Sequence, residues 1–205
     1  MTDESPQTTA WLSGLREGKT EVLADLFAHY RPRLRQMLDR RMDPRVAARL
    51  DASDVLQEVY LDAARQLPSY LQAPGVPFYV WLRGLAWERL LNCQRQHLGT
   101  QCRDAQRELH LPDDSSDLLA QQLLAPDCSP CEAALQAELR QQVREALDRL
   151  DPQDREVLLM RHLEGMSNND VACALGLSPS GATMRYGRAL RRLKAALAAF
   201  GPMGG

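Results

Sequence analysis

The stretch Ser167–Leu197, SNNDVACALGLSPSGATMRYGRALRRLKAAL, decides how the chain folds. It opens on Ser167 with Asp170 three residues later, an imperfect version of the box in which a hydroxyl and a longer carboxylate cap a helix N-terminus. Val171, Ala172 and Leu175 follow at helical spacing and give a short helix one apolar side. Gly176 ends it, because glycine enters the left-handed turn without a Cβ penalty. Leu177 fills the corner. Ser178 caps a second helix, and Pro179 takes the first position, where its missing N–H costs nothing. Two helices about three to four residues apart, with the small Ala172 at their crossing, make a helix-turn-helix.

The second helix is also one-signed. From Ser178 to Gly205 there are four Arg, one Lys and no acid. Solvated helices ordinarily mix signs, so an ordinary hairpin with a basic face fits less well than a surface for DNA. Ser180, Thr183 and Arg185, near the N-terminus, are placed to reach base edges. Arg188, Arg191, Arg192 and Lys194 suit phosphates, which fix position without reading sequence. Gly181 and Gly187 each cost roughly 1 kcal/mol against Ala inside a helix; they either permit close approach to a duplex or are simply tolerated.

Elsewhere the charge also comes in blocks, although the 205-residue chain sums to a net charge of only −2. Arg31–Arg49 holds seven Arg and two Asp, Asp51–Asp62 four acids and no base, and Leu111–Pro130 four Asp and no base. Separate blocks suit separate partners. The Arg31–Arg49 block fits either DNA or a merely solvated helix. No apolar run approaches the roughly 20 residues of a membrane span, and MTDESPQTTAW does not read as a secretory signal. The five Cys are therefore expected to be reduced thiols in a cytoplasmic protein.

The helical period dominates the chain, and no stretch alternates as a strand. Apolar residues from Leu12 to Leu38 predict two helices, divided near Gly14 and Gly18, with Pro32 as a kink in the second. In DASDVLQEVYLDAARQL, Ser53 is the expected N-cap. Val55, Leu56, Val59, Tyr60 and Ala63 make the apolar side, and Asp54, Gln57, Glu58, Leu61 and Asp62 the other. PSYLQAPGVPF, with three Pro and one Gly, reads as a loop. FYVWLRGLAWERLLNCQRQHL then makes a further helix. Residues 99–131, rich in Pro, Ser and Asp, read as a flexible acidic linker in which LLAQQLL can form a short helix. Helices are expected near 132–149, 152–162, 167–175 and 179–198. The fold is all-α: two small helical domains, residues 20–98 and 132–200, with an N-terminal segment 1–19, the linker, and a tail 201–205.

The pairing of DASDVLQEVYLDAARQL with FYVWLRGLAWERLLNCQRQHL resembles the core-binding and promoter-melting segment of sigma-70-family RNA polymerase sigma factors of the extracytoplasmic-function (ECF) type. LDRLDPQDREVLLMRHLEGMSNNDVACALGLSPSGATMRYGRALRRLKAAL resembles that family's domain for the −35 promoter element. The likeness covers about residues 20–98 and 135–198, in the family's order. It implies a transcription initiation factor that directs core RNA polymerase to −10 and −35 promoter DNA. It assigns Asp54, Gln57, Glu58 and Asp62 to the coiled coil of the largest polymerase subunit. It assigns Arg83, Trp87, Arg89, Arg95 and His97 to melted −10 DNA, where aromatics stack on bases and Arg holds the backbone. Ser178, Ser180, Thr183, Arg185, Arg188 and Arg192 become the −35 contacts. The loop Leu71–Val76 resembles the family loop that pockets a flipped −10 base. Glu88 stands where many members have Asn. A carboxylate repels phosphate, so Glu88 is expected to face the protein. Trp81, in phase with Phe78 and Leu85, is expected in the core, whereas Trp87 divides evenly between core and DNA.

The rival reading is a helix-turn-helix repressor or activator with a helical sensor domain, dimeric on duplex DNA. The sigma reading expects a monomer when free, with an anti-sigma factor as a possible partner. Cys128 and Cys131 form a lone CxxC. Zinc needs four ligands, and the spacing to Cys102 and His110 fits no standard site, so no cofactor is expected. A metalloprotein built on that CxxC is the third reading. Cys93 and Cys173 are read as packing thiols and His162 as structural. With no phosphate loop and no triad, the chain by itself is not expected to be an enzyme.

Overall fold

The structure is a computed structural model that describes residues 5–98, 116, 119–120 and 133–199. Among these residues there is no strand. The helices are α1 (Pro6–Arg16), α2 (Val22–Arg41), α3 (Pro44–Ala47), α4 (Ala52–Gln72), α5 (Phe78–Leu98), α6 (Ala133–Asp148), α7 (Pro152–His162), α8 (Asn168–Ala174) and α9 (Pro179–Ala198). They fall into two compact units, one holding α1–α5 and the other α6, α7, α9 and the start of α8 up to Ala172.

In the first unit α2, α4 and α5 bury one continuous apolar core. Leu26, Leu34 and Leu38 from α2 meet Val55, Leu56 and Val59 from α4 and Phe78, Leu82 and Leu90 from α5, all nearly without exposure. Burying each such side chain is worth roughly 1.5–3 kcal/mol. Pro32 lies inside α2, on its exposed side.

Two local expectations fail here. The N-cap of α4 is Asp51, whose carboxylate accepts from the Ser53 backbone N–H at 2.6 Å. Both residue types cap well. The extended backbone at Asp51 settles the choice, and the Ser53 hydroxyl instead accepts from Arg35 Nη1 at 2.9 Å. Hydrogen bonding from Ser53 to the Asp51 carboxylate, its backbone N–H first, pulls that carboxyl below its ordinary value. The second failure is at Pro68. The helix runs through it to Gln72, shortening the expected loop, because Leu67 and Tyr70 on either side are buried and the proline is exposed. Tyr70 then fixes the turn that follows. Its hydroxyl donates to the Val76 carbonyl at 3.0 Å, and its ring stacks on Trp81 at 4.6 Å.

In the second unit Asp151 caps α7, accepting from the Gln153 N–H at 2.9 Å, with Pro152 at the first position. Val143, Ala146 and Leu147 of α6, Leu158 and Leu159 of α7, and Ala189 and Leu193 of α9 share one core. Leu119 and Ala120 are buried in that core, and Ser116 Oγ donates to Asp148 Oδ1 at 2.7 Å. These described residues of the expected linker are therefore packed, because Leu119 and Ala120 supply an apolar side that Pro, Ser and Asp cannot. The rest of residues 99–131, including Cys102, His110, Cys128 and Cys131, lies outside the described residues.

Candidate functional site

The helix-turn-helix is fixed by its caps. Ser167 Oγ accepts from the Asp170 N–H at 3.1 Å, and Asp170 Oδ2 accepts from the Ser167 N–H at 3.3 Å, so the short Asp closes the reciprocal box. Gly176 adopts φ +62°, and the Leu177 N–H donates back to the Ala172 carbonyl at 2.8 Å. That is the Schellman closure, which only glycine enters without strain. Ser178 Oγ accepts from the Gly181 N–H at 3.0 Å to start α9. Asn168 Nδ2 donates to the Pro179 carbonyl at 2.9 Å, tying the start of α8 to the start of α9.

Ala182, Ala189 and Leu193 bury one side of α9, which turns Ser180, Thr183, Met184, Arg188 and Arg191 outward. The basic residues divide in two. Arg188 is exposed. Arg185 Nη1 donates to Gln153 Oε1 at 2.6 Å, and Arg192 Nη1 donates to Asp154 Oδ2 at 2.6 Å. The Asp154 side chain is only 4% exposed, so Arg192 neutralises a buried carboxylate rather than standing free for phosphate. The hydroxyls are engaged as well: Thr183 Oγ1 donates to the Pro179 carbonyl at 3.0 Å, and Ser178 and Ser180 pair at 3.1 Å. Behind this face His162 Nε2 and the Tyr186 hydroxyl lie 3.1 Å apart, and burial, with Arg161 nearby, lowers the His162 pKa.

On α4 the residues Asp54, Gln57 and Glu58 are exposed, and Leu61, 51% exposed, stands among them. Asp62 is half-buried and accepts from Arg65 Nη2 at 2.9 Å and from Arg89 Nη2 at 2.6 Å. The Arg89 nitrogen also lies 3.5 Å from Glu58 Oε2. The residues expected on two different surfaces are thus joined through Arg89.

The α5 residues differ among themselves. Arg83 is only 5% exposed and belongs to the interior, so it does not stand on a DNA-facing surface as expected. Trp87 is half-buried, with the buried Arg41 guanidinium 5.1 Å from its ring centre. Arg95 is exposed and donates to Asn92 Oδ1 at 2.9 Å; His97 sits in the last turn of α5. Glu88 is exposed, not turned to the protein: its helical phase, six residues from Leu82 and two from Leu90, carries it off the core side. Trp81 is half-buried against Tyr70 rather than fully enclosed. Cys173 is exposed, which removes it as a packing thiol. Cys93 is half-buried, and burial raises its thiol pKa. Among the described residues no three His, Cys, Asp or Glu side chains come together to hold a metal, and no helix is long and apolar enough to cross a membrane.

Met184 and Leu61 are the exposed large hydrophobics among the described residues, and neither was named as a site residue from the sequence. Each falls out of phase with the buried positions of its own helix, and that phase was the available signal.

Comparison with known families resolves what these surfaces belong to. The sigma-70 region 2 pattern matches residues 26–98, and the sigma-70 region 4 pattern matches residues 140–193. The chain belongs to the sigma-70 family. It is a transcription initiation factor, and the repressor alternative is not favoured. It is 28% identical over 179 residues to RNA polymerase sigma factor CarQ of Myxococcus xanthus, covering 87% of this chain and 91% of that one. It is 27% identical over 201 residues to the ECF sigma factor SigD of Mycobacterium tuberculosis, covering 98% and 89%. A solved structure of CnrH in complex with the cytosolic domain of CnrY shares the fold with a TM-score of 0.51 at 22% identity, over 95% of this chain and 96% of that one. Sigma factors bind core RNA polymerase and promoter DNA; the region 2 match lies within the first compact unit, and the region 4 match, apart from Cys173–Gly176, within the second.

Proposed function

We propose that this sigma factor divides its two tasks between α4 with α5 and α9. The exposed Asp54, Gln57 and Glu58, with Asp62 beside them, give α4 an acidic face suited to a basic coiled coil of the polymerase. Leu61 at its centre, half exposed, supplies an apolar contact within that face. Trp87, Arg89, Arg95 and His97 of α5 take the melted −10 strand, and Arg83 supports that helix from within. Ser178, Ser180, Thr183, Arg185 and Arg188 of α9 address the −35 duplex, and Arg192 holds α9 on α7. The observation that carries this reading is the joint presence of both sigma regions, in order, on helices whose polar faces are exposed.

The factor lends specificity to the polymerase and catalyses nothing itself. It acts in the cytoplasm, as a monomer when free. The two functional segments are 20–98 and 132–200, with α1 packed beside the first and Leu119 and Ala120 in the core of the second. The complex of CnrH with the cytosolic domain of CnrY supports an anti-sigma factor as a further partner here.

The test is size-exclusion chromatography of the full chain with core RNA polymerase, followed by transcription from genomic fragments. A one-to-one complex that initiates at selected sites is expected. A free dimer that binds duplex DNA tightly and ignores core polymerase would overturn the reading.

A further inference from the structure

Met184 is the most exposed large apolar side chain among the described residues, 64% exposed, in the second turn of α9. A methionine there costs apolar exposure and has no packing role: the buried positions Ala182, Ala189 and Leu193 define the opposite side of the helix. Its neighbours on the outer face are Ser180 and Arg188, one turn to either side, with Gly187 leaving open space beside them.

The polar groups around it are largely engaged. The Thr183 hydroxyl donates to the Pro179 carbonyl at 3.0 Å, and the residue is exposed. The Ser180 hydroxyl pairs with that of Ser178. Arg185 is held by Gln153. The front of the helix therefore offers a flexible thioether and a methyl between sparse donors.

In the major groove the thymine C5-methyl is the apolar feature of a base edge, and N-terminal residues of a recognition helix are the ones that reach base edges. We infer that Met184, with the Thr183 methyl, reads a thymine of the −35 element through its C5-methyl group, so that part of the promoter specificity rests on apolar contact. This rests on the assignment of α9 to −35 DNA. Methionine suits the task because its unbranched, polarisable chain adapts to the groove.

The test begins with holoenzyme, core polymerase plus the full chain, selecting from duplexes randomised across the −35 region. Each thymine of the selected element is then replaced by uracil, which removes only the methyl. One such position is expected to lose about three- to five-fold in binding, the scale of one buried methyl. Met184→Ser should lose that discrimination, and Met184→Leu should keep it. Equal binding of thymine and uracil at every position, or undiminished discrimination by Met184→Ser, would overturn the inference alone. Failure to select any −35 element would overturn the assignment of α9, and this inference with it.

Discussion

Arg89 on α5 donates through Nη2 to Asp62 on α4 at 2.6 Å, and the same nitrogen stands 3.5 Å from Glu58 Oε2. The hydrogen bond to Asp62 raises the Arg89 pKa further, so the guanidinium stays charged at any working pH. One guanidinium thus holds two carboxylates of the acidic stripe on the helix next to the one it belongs to. In the sigma-70 reading those carboxylates face polymerase, and Arg89 belongs to the helix that faces melted DNA.

Arg89→Ala is therefore expected to have two effects. Removing a partly exposed ion pair costs about 0.5–1 kcal/mol of stability, read by urea unfolding of the full chain. Freed from Arg89, Asp62 and Glu58 lose their fixed geometry, and affinity for core polymerase should fall several-fold in a fluorescence titration. Unchanged core affinity together with impaired promoter opening would instead make Arg89 a direct DNA contact.

Arg192 is the corresponding case in the second unit. Its partner Asp154 is buried, so Arg192→Ala strands a carboxylate in the interior. Because Arg192 itself is half exposed, the expected loss is about 1–2 kcal/mol rather than the larger penalty of a fully buried pair. Adding Asp154→Asn should restore part of the lost stability, and a double-mutant cycle by thermal unfolding measures the coupling. A stable Arg192→Ala variant with a shallower salt dependence of DNA binding would return Arg192 to the phosphate contacts.

His162 makes a prediction about pH. Burial holds its pKa below the ordinary 6.5, so the unfolded chain takes up the proton more readily than the folded one. Stability from this group is complete above pH 6.5 and is lost as pH falls below that value toward the folded pKa. The slope cannot exceed about 1.4 kcal/mol per pH unit for one proton. Urea midpoints at pH 7.5 and 5.5 should differ for the natural chain, and His162→Gln, which keeps a partner for Tyr186, should flatten the difference.

Local signals in the sequence carried most of the fold. Ser178, Pro179 and Gly176 mark the helix-turn-helix because each satisfies a backbone requirement within a few residues of itself. Where two residues could meet the same requirement, as with Asp51 and Ser53, local pattern does not choose. Pro68 misled because a breaker is judged locally, while burial of Leu67 and Tyr70 is a property of the whole unit. The pairings of Arg89 with Asp62 and of Arg192 with Asp154 span 27 and 38 residues, beyond any spacing rule. For that reason every exposed-looking Arg read alike from sequence, although Arg83 is buried, Arg192 is structural and Arg188 is exposed.

That distinction leads to the sharpest test of α9. Arg188 lies one turn beyond Met184 on the exposed face, so Arg188→Ala should remove one phosphate or base contact and nothing else. If it holds a phosphate, the slope of log affinity against log salt should fall by about one, with the ranking of promoter sequences unchanged. If it reads a base, the ranking itself should relax at one position. Arg185 and Arg188 reversed together to Glu would put two negative charges against the duplex. That variant should lose −35 recognition while still eluting one-to-one with core polymerase, because neither residue is part of the α4 face. Arg185→Glu also breaks the bond to Gln153, so its unfolding midpoint must be measured alongside. A folded double variant that still selects the same promoters would move −35 recognition off this helix.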